Sequence, residues 1–101
     1  MSEKLVCGDK KHAGGKMVRV CVVIGEKGVL DAFVTGDFFV EPDEAYEKLE
    51  EELRRVLVKT SDPERLREAL SRALESSNAK LHGVEVEDFI EAAKRALEAG
   101  S

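Results

Sequence analysis

The chain has 101 residues, of which 43% are hydrophobic and five are aromatic, with no tryptophan. That length fits a single domain, residues 1–101, with a packed core but little interior for a deep substrate cavity. The scarcity of aromatic side chains argues against a nucleic-acid reader, which stacks bases on aromatic platforms.

The net charge of −5 conceals an asymmetry along the chain. Residues 1–20 carry five lysines and arginines against two acids, whereas residues 41–52 carry seven acids against one lysine. A basic end on an acidic protein favours a local anion site over general polyanion binding. The charged fraction of 37% hints at a thermophilic source, through surface ion-pair networks.

Strands come first along the chain. We predict a first short strand over residues 4–11, and residues 16–24 alternate β-branched side chains, which predicts a second. Residues 25–28 (GEKG) have the length of a hairpin loop, and residues 29–35 return as a third strand. The predicted inward set is Val18, Val20, Val22, Ile24, Leu30, Ala32 and Val34.

The opposite face of this meander is less polar than a solvent-facing surface should be. It carries Met17, Cys21, Val23, Val29 and Phe33. Either the helices cover both faces of the sheet, or this face docks onto a partner, in which case Cys21, Val23 and Phe33 are the interface residues.

The two cysteines form neither a metal-type pair nor a disulfide framework. Cys7 and Cys21 lie in apolar, strand-like runs, so we expect buried or half-buried free thiols in a reducing compartment. A disulfide between them is possible if the first two strands pair around residues 13–15, but it is not expected. The polar first residues and the lack of a long apolar run predict a cytoplasmic protein without a signal peptide.

Helices occupy the second half of the chain. Pro42 suits the first turn of a helix that runs to about Lys59, acidic at its start and basic at its end. Asp62 as N-cap and Pro63 at the first helical position begin a second helix. After a break at residues 78–83, a third helix covers about residues 86–99. The predicted class is α+β: an antiparallel meander of about three strands, followed by and packed against about three helices.

The first candidate site is the glycine turn at residues 10–16 (KKHAGGK). Gly14 and Gly15 let the backbone turn tightly with its N–H groups outward, and Lys16 adds positive potential, so the turn can cradle a phosphate or carboxylate. It lacks P-loop spacing, because Lys16 opens a strand. The alternative is a solvated hairpin turn whose lysines discourage aggregation.

The second candidate site is residues 35–39 (TGDFF). Asp37, between a glycine and two aromatic residues, can orient a lysine or act as an acid or base. The alternative role is structural: Gly36 bends the strand, Asp37 stabilises the turn, and Phe38 and Phe39 anchor the strand–helix junction in the core.

The remaining residues offer no catalytic constellation. His12 and His82 lack partners at ligand spacing, so we predict no metal site. No nucleophile stands with a histidine and an acid in a recognisable pattern, so we assign no catalytic residue to this chain. By residue chemistry alone, the protein is a binding or accessory module.

Three segments resemble the C-terminal accessory domain of lipoate–protein ligases. They are residues 11–20 (KHAGGKMVRV), residues 34–39 (VTGDFF) and residues 41–45 (EPDEA), the last of which opens a helix. Gly-Gly-Lys entering one strand and Thr-Gly-Asp-Phe-Phe ending the next have the order and spacing of that domain. The resemblance runs from about residue 4 to the C-terminus. Cys21 and His12 depart from it, since apolar or acidic residues are expected there.

The resemblance implies a larger subunit that binds ATP, Mg2+ and lipoate, forms lipoyl-adenylate and transfers the lipoyl group to a lysine of a lipoyl-domain acceptor protein. This chain, which begins at Met1 directly before the motifs, would be a separately encoded small subunit. It would be non-catalytic, bind no cofactor by itself and be needed for the adenylation step. The rival hypothesis is a free-standing module that binds a phosphate-bearing ligand or RNA through the glycine turn.

Overall fold

A computed structural model describes residues 2–100 of the chain. Three strands come first: β1 (Lys4–Lys11), β2 (Met17–Gly25) and β3 (Gly28–Gly36). They form an antiparallel sheet in the order β1-β2-β3. A short strand β4 (Phe39–Glu41) leads to the helices α1 (Glu44–Lys59) and α2 (Pro63–Ser76), and a short β5 (Lys80–His82) precedes α3 (Val86–Ala99). The predicted α+β class and the meander followed by three helices are confirmed.

The valines of β2 form the centre of the core. Val18, Val20 and Val22 are fully buried, and their partners on β3, Ala32 and Val34, are buried beside them. Alternation with period two puts all five on one face of the sheet, where their branched side chains pack well. The predicted inward face is confirmed at these positions.

Leu30 breaks the predicted alternation. Val23 pairs with Asp31, but Ile24 pairs with Val29, so Leu30 is an extra residue on β3. Such a bulge resets which residues face inward. Leu30 is therefore 50% exposed, whereas Val29 packs against the core. The inward assignment of Leu30 and the outward assignment of Val29 are both wrong for this reason.

The helices lie on one side of the sheet. α3 packs against β1 and β2, α1 packs against β3, and α2 packs against α1 and α3. The core they share with the sheet excludes Cys21, Val23 and Phe33, which point to the other side. The sequence left two alternatives open. Among the described residues the helices do not cover both faces of the sheet, and the outer face stays uncovered.

The predicted start of α2 is confirmed, whereas α1 begins after Pro42 and does not include it. The Asp62 carboxylate accepts the N–H of Glu64 at 3.0 Å, with Pro63 in the first turn of α2. Pro42 lies two residues before α1, where its carbonyl accepts the N–H of Ala45 at 3.0 Å in a turn that leads into the helix. The predicted break at residues 78–83 contains β5, which pairs with β4. None of the helices in residues 2–100 has the length and apolar content needed to cross a membrane.

Candidate functional site at the hairpin end

The glycine turn is the loop between β1 and β2. The His12 N–H donates to the Lys16 carbonyl at 2.7 Å, and the Gly15 N–H donates to the His12 carbonyl at 2.8 Å. Gly15 has φ of 94°, the left-handed conformation that closes a three-residue hairpin loop. Its N–H points inward and is already bonded, so it cannot take part in the predicted anion cradle.

Gly14 and Lys16 remain available to a ligand. A Cβ atom added at Gly14 would meet nothing within 4 Å, so the backbone there is open to approach. The stem of Lys16 lies along Gly83, with Cγ 2.8 Å from the position a Cβ would take there. No side-chain bond or ion pair within residues 2–100 engages the Lys16 ammonium group. Gly14, Gly15 and Lys16 thus form an exposed basic turn, although only two of them can face an anion.

The side chain of Asp88 holds this turn in place. The residue is 4% exposed, and its carboxylate accepts hydrogen bonds from Lys10 Nζ at 3.0 Å, His12 Nδ1 at 2.7 Å and the backbone N–H of Glu85 at 2.8 Å. Burial by itself would raise the pKa of Asp88, but these three donors outweigh it and lower the pKa. The turn is held at a fixed place against the start of α3.

Asp37 fastens the start of β2 to the end of β3. Its Oδ1 accepts the N–H of Met17 at 2.6 Å, and its own N–H donates to the Met17 carbonyl at 3.3 Å. Gly36 permits this approach, since a Cβ there would lie 2.2 Å from the Met17 carbonyl oxygen. The structural role predicted for Asp37 is confirmed, whereas Gly36 serves this close approach of the two strands.

Phe38 and Phe39 have different environments. Phe38 is buried and packs against the rings of Tyr46 and Phe89. Phe39 is 61% exposed and stacks on His82, with ring centroids 4.6 Å apart. Neighbouring residues of an extended segment point to opposite sides, so both could not enter the core. The core assignment is right for Phe38 and wrong for Phe39.

The exposed groups of these segments form one surface, which we call the hairpin end. It comprises Gly14, Gly15, Lys16, Asp37, Phe39 and His82. Lys16 contacts Gly83, directly after His82, and Asp37 bonds to Met17, directly after Lys16. The His82 Nε2 lies 2.9 Å from Glu41 Oε1, which fixes the ring under Phe39. The sequence did not bring Phe39 and His82 together, although the alternation of residues 38–40 indicated that Phe39 faces away from the core.

The predicted interface residues lie together on the outer sheet face. Cys21 pairs with Cys7 on β1 and with Phe33 on β3, and Val23 lies in the next row beside Leu5. Leu5 is 58% exposed and Val23 and Phe33 are half-buried, whereas Cys21 is buried and offers little surface to a partner. We call the outward side chains of these five residues the outer patch.

Cys7 and Cys21 are joined by a disulfide. The expectation of free thiols is therefore wrong, because the register of β1 and β2 places Cys7 directly opposite Cys21, with both side chains on one face of the sheet. The bond lies in the middle of the outer patch. Within residues 2–100, no group of three or more metal-ligating side chains is placed to hold a metal ion.

Fold and surface define a small α+β domain with an anchored basic turn and an uncovered sheet face. The chain is similar to a chain of a solved archaeal lipoylation system, a bi-partite lipoate protein ligase and its E2 lipoyl domain from Thermoplasma acidophilum. The TM-score is 0.67 at 25% identity, over 91% of this chain and 97% of that chain. No protein-family model matches the sequence, and no curated protein does. The resemblance to lipoate–protein ligases is confirmed by this similarity to a chain of the solved archaeal system.

Proposed function

We propose that this chain is the non-catalytic accessory subunit of a bipartite lipoate–protein ligase. It associates with the large catalytic subunit and is needed for the ATP-dependent activation of lipoate to lipoyl-adenylate. The observation that carries the proposal is the similarity to a chain of the bi-partite ligase system over more than nine tenths of both chains. Coverage that high on both sides means that the matched chain has nearly the length of this one, which suits a small subunit.

The hairpin end supports a role near the reacting groups. Adenylation brings the carboxylate of lipoate against the phosphates of ATP, and these anions repel one another unless cations and oriented N–H groups compensate. Lys16 carries an ammonium group free of other partners in residues 2–100, beside the open backbone of Gly14. Because Asp88 and Asp37 hold the turn in place, docking would deliver this charge to a defined position.

The outer patch supports the association itself. A contiguous apolar surface that no helix of its own chain covers favours burial against another protein. The bidentate pair of Arg19 and Asp9, at 2.6 and 3.0 Å, borders the patch on one side with charge. An apolar centre with a polar rim is the usual composition of a protein interface.

Calorimetry with the large lipoate-ligase subunit of the same organism tests the proposal. Phe33→Asp places a charge in the outer patch and should weaken binding at least about tenfold. Val58→Asp is the matched control, since Val58 is an exposed hydrophobic residue on α1 rather than on the sheet. Absence of binding by the unmodified chain would reject the proposal. Equal binding by the two variants would show that the interface lies elsewhere on the chain.

A further inference from the structure

The two edges of the three-stranded sheet differ in their backbone hydrogen bonds. At the β3 edge, the Val34 N–H donates to Glu50 Oε2 at 2.9 Å, and the Val34 carbonyl accepts the Tyr46 hydroxyl at 2.5 Å. The Ala32 N–H donates to Asp31 Oδ1 at 2.8 Å. Side chains therefore occupy three of the groups that another strand would need, and pairing is blocked along this part of the edge.

Along β1, alternate residues direct their backbone N–H and C=O groups toward β2 and away from it. His12 bonds to Lys16 across the loop, and the Cα atoms of Cys7 and Cys21 are 4.0 Å apart, the spacing of a pair without mutual hydrogen bonds. Odd-numbered residues of β1 therefore point their N–H and C=O groups away from β2. Asp9 agrees with this phase, since its carbonyl accepts Arg95 Nη1 at 2.7 Å.

Part of this β1 edge is open. The carbonyl groups of Asp9 and Lys11 are capped by side chains, Arg95 and Lys10 respectively. At Leu5 and Cys7, no side chain of the described chain supplies such a bond. Both residues are exposed, and both belong to the outer patch. A strand added there would pair with free backbone groups and extend the apolar face at the same time.

We infer that the large subunit binds by adding an extended strand to β1 beside Leu5 and Cys7. This inference rests on the proposed function, which supplies the identity of the partner. The chemistry of the added strand follows from β1: apolar side chains opposite Leu5 and Cys7, and a cationic side chain near Glu3, which has no partner within residues 2–100.

A second copy of this chain fits the edge less well. Antiparallel self-pairing in which Leu5 and Cys7 alone supply the backbone hydrogen bonds sets Leu5 of one copy opposite Cys7 of the other. That register brings Glu3 beside Asp9 of the second copy, and like charges directly opposite each other destabilise a strand pair. Shifting the register to oppose the two Cys7 residues would require the Asp9 carbonyl, which Arg95 already occupies.

Two variants at one position separate backbone pairing from side-chain burial. Leu5→Pro removes the outward N–H, which a strand edge tolerates, and replaces the leucine side chain with the proline ring. Leu5→Thr keeps that N–H and loses the apolar side chain. In calorimetry with the large subunit of the same organism, we expect Leu5→Pro to bind about tenfold more weakly than Leu5→Thr. Circular dichroism of both variants checks that each is folded.

Amide hydrogen exchange of the unmodified chain gives an independent test of strand addition. The amides of Leu5 and Cys7 should exchange quickly in the free chain and at least about tenfold more slowly in the complex. A complex in which both amides keep their free rates overturns the inference and leaves the proposed function standing. If no complex forms, the proposed function fails and the inference with it. Protection of both amides in a homodimer of the free chain would identify a second copy as the occupant and overturn the inference.

Discussion

Nδ1 of His12 lies 2.7 Å from Oδ2 of Asp88, and this contact ties the β1–β2 turn to the first turn of α3. Lys10 adds a second contact to the same carboxylate at 3.0 Å. The position of the basic turn thus depends on a buried acid that is 76 residues away from His12 in the sequence. An exposed loop of glycines and lysines acquires a fixed place on the surface in this way.

Asp88→Asn should destabilise the protein by about 1–3 kcal/mol, because the half-buried side chains of Lys10 and His12 lose their charged acceptor. Urea unfolding monitored by circular dichroism measures this. The control is Glu91→Gln, which removes the exposed pair of Glu91 with Arg95 and should cost less than about 1 kcal/mol. Equal costs for the two variants would show that Asp88 is not the anchor.

The Asp88 contacts also make stability depend on pH. Its pKa in the folded protein is below the ordinary value of 3.8, so the unfolded chain takes up the proton first as the pH falls. The stabilisation is complete above the pKa of the unfolded chain and is lost as the pH drops through the lower pKa of the folded state. Between about pH 7 and about pH 3, the unmodified protein should lose more unfolding free energy than Asp88→Asn. Parallel losses in urea titrations would contradict this.

The disulfide should be detectable by thiol titration. Protein purified without reductant should show no free thiol in denaturant, and two after reduction. Because the bridge closes a loop with a sequence separation of 14, its removal should cost up to about 3 kcal/mol. The double variant Cys7→Ala, Cys21→Ala gives that value in urea unfolding. Two titratable thiols in the unreduced protein would restore the original expectation from the sequence.

The glycines should differ sharply in their tolerance of alanine. Gly36 has φ of 153°, and a Cβ there would lie 2.2 Å from the Met17 carbonyl, so Gly36→Ala should destabilise by about 1–3 kcal/mol or more. A Cβ at Gly14 meets nothing, so Gly14→Ala should change stability by less than about 0.5 kcal/mol. Thermal melting of the two variants measures the difference. Similar melting temperatures would refute the assigned close contact at Gly36.

Lys16→Ala should slow lipoyl-adenylate formation at least about tenfold in the reconstituted ligase, because a cation near the reacting anions is lost. Lys27→Ala is the matched control, since Lys27 is an exposed lysine in the hairpin loop at the opposite end of β2. Calorimetry shows whether both variants still bind the large subunit. A rate for Lys16→Ala equal to that of Lys27→Ala would exclude a direct electrostatic role for the turn.

Local signals in the sequence predicted most of the fold. The alternating valines of β2 and the Asp62–Pro63 start of α2 depend on nearby residues only, and the structure confirms both. The bulge at Leu30 could not be predicted, since the pairing of β2 with β3 sets it rather than any residue preference. The disulfide likewise depends on the pairing register of β1 and β2, which places Cys7 opposite Cys21.

The candidate site was predicted less completely. The glycine turn and residues 35–39 were recognised, but Asp88 was not, because its partners Lys10 and His12 lie far from it in the sequence. A single sequence does not pair residues across such separations. A signal was nevertheless present: Asp88 follows Glu85 by three residues at the start of a helix, the spacing of a capping box, which predicts a structural role for its carboxylate.

Reconstitution tests the central claim most directly. The large lipoate-ligase subunit of the same organism is assayed for lipoyl-adenylate formation with ATP, Mg2+ and lipoate, alone and with this chain. We expect activity from the mixture and from neither protein alone. Full adenylation by the large subunit without this chain, or an inactive mixture, would contradict the assignment of this chain as its accessory subunit.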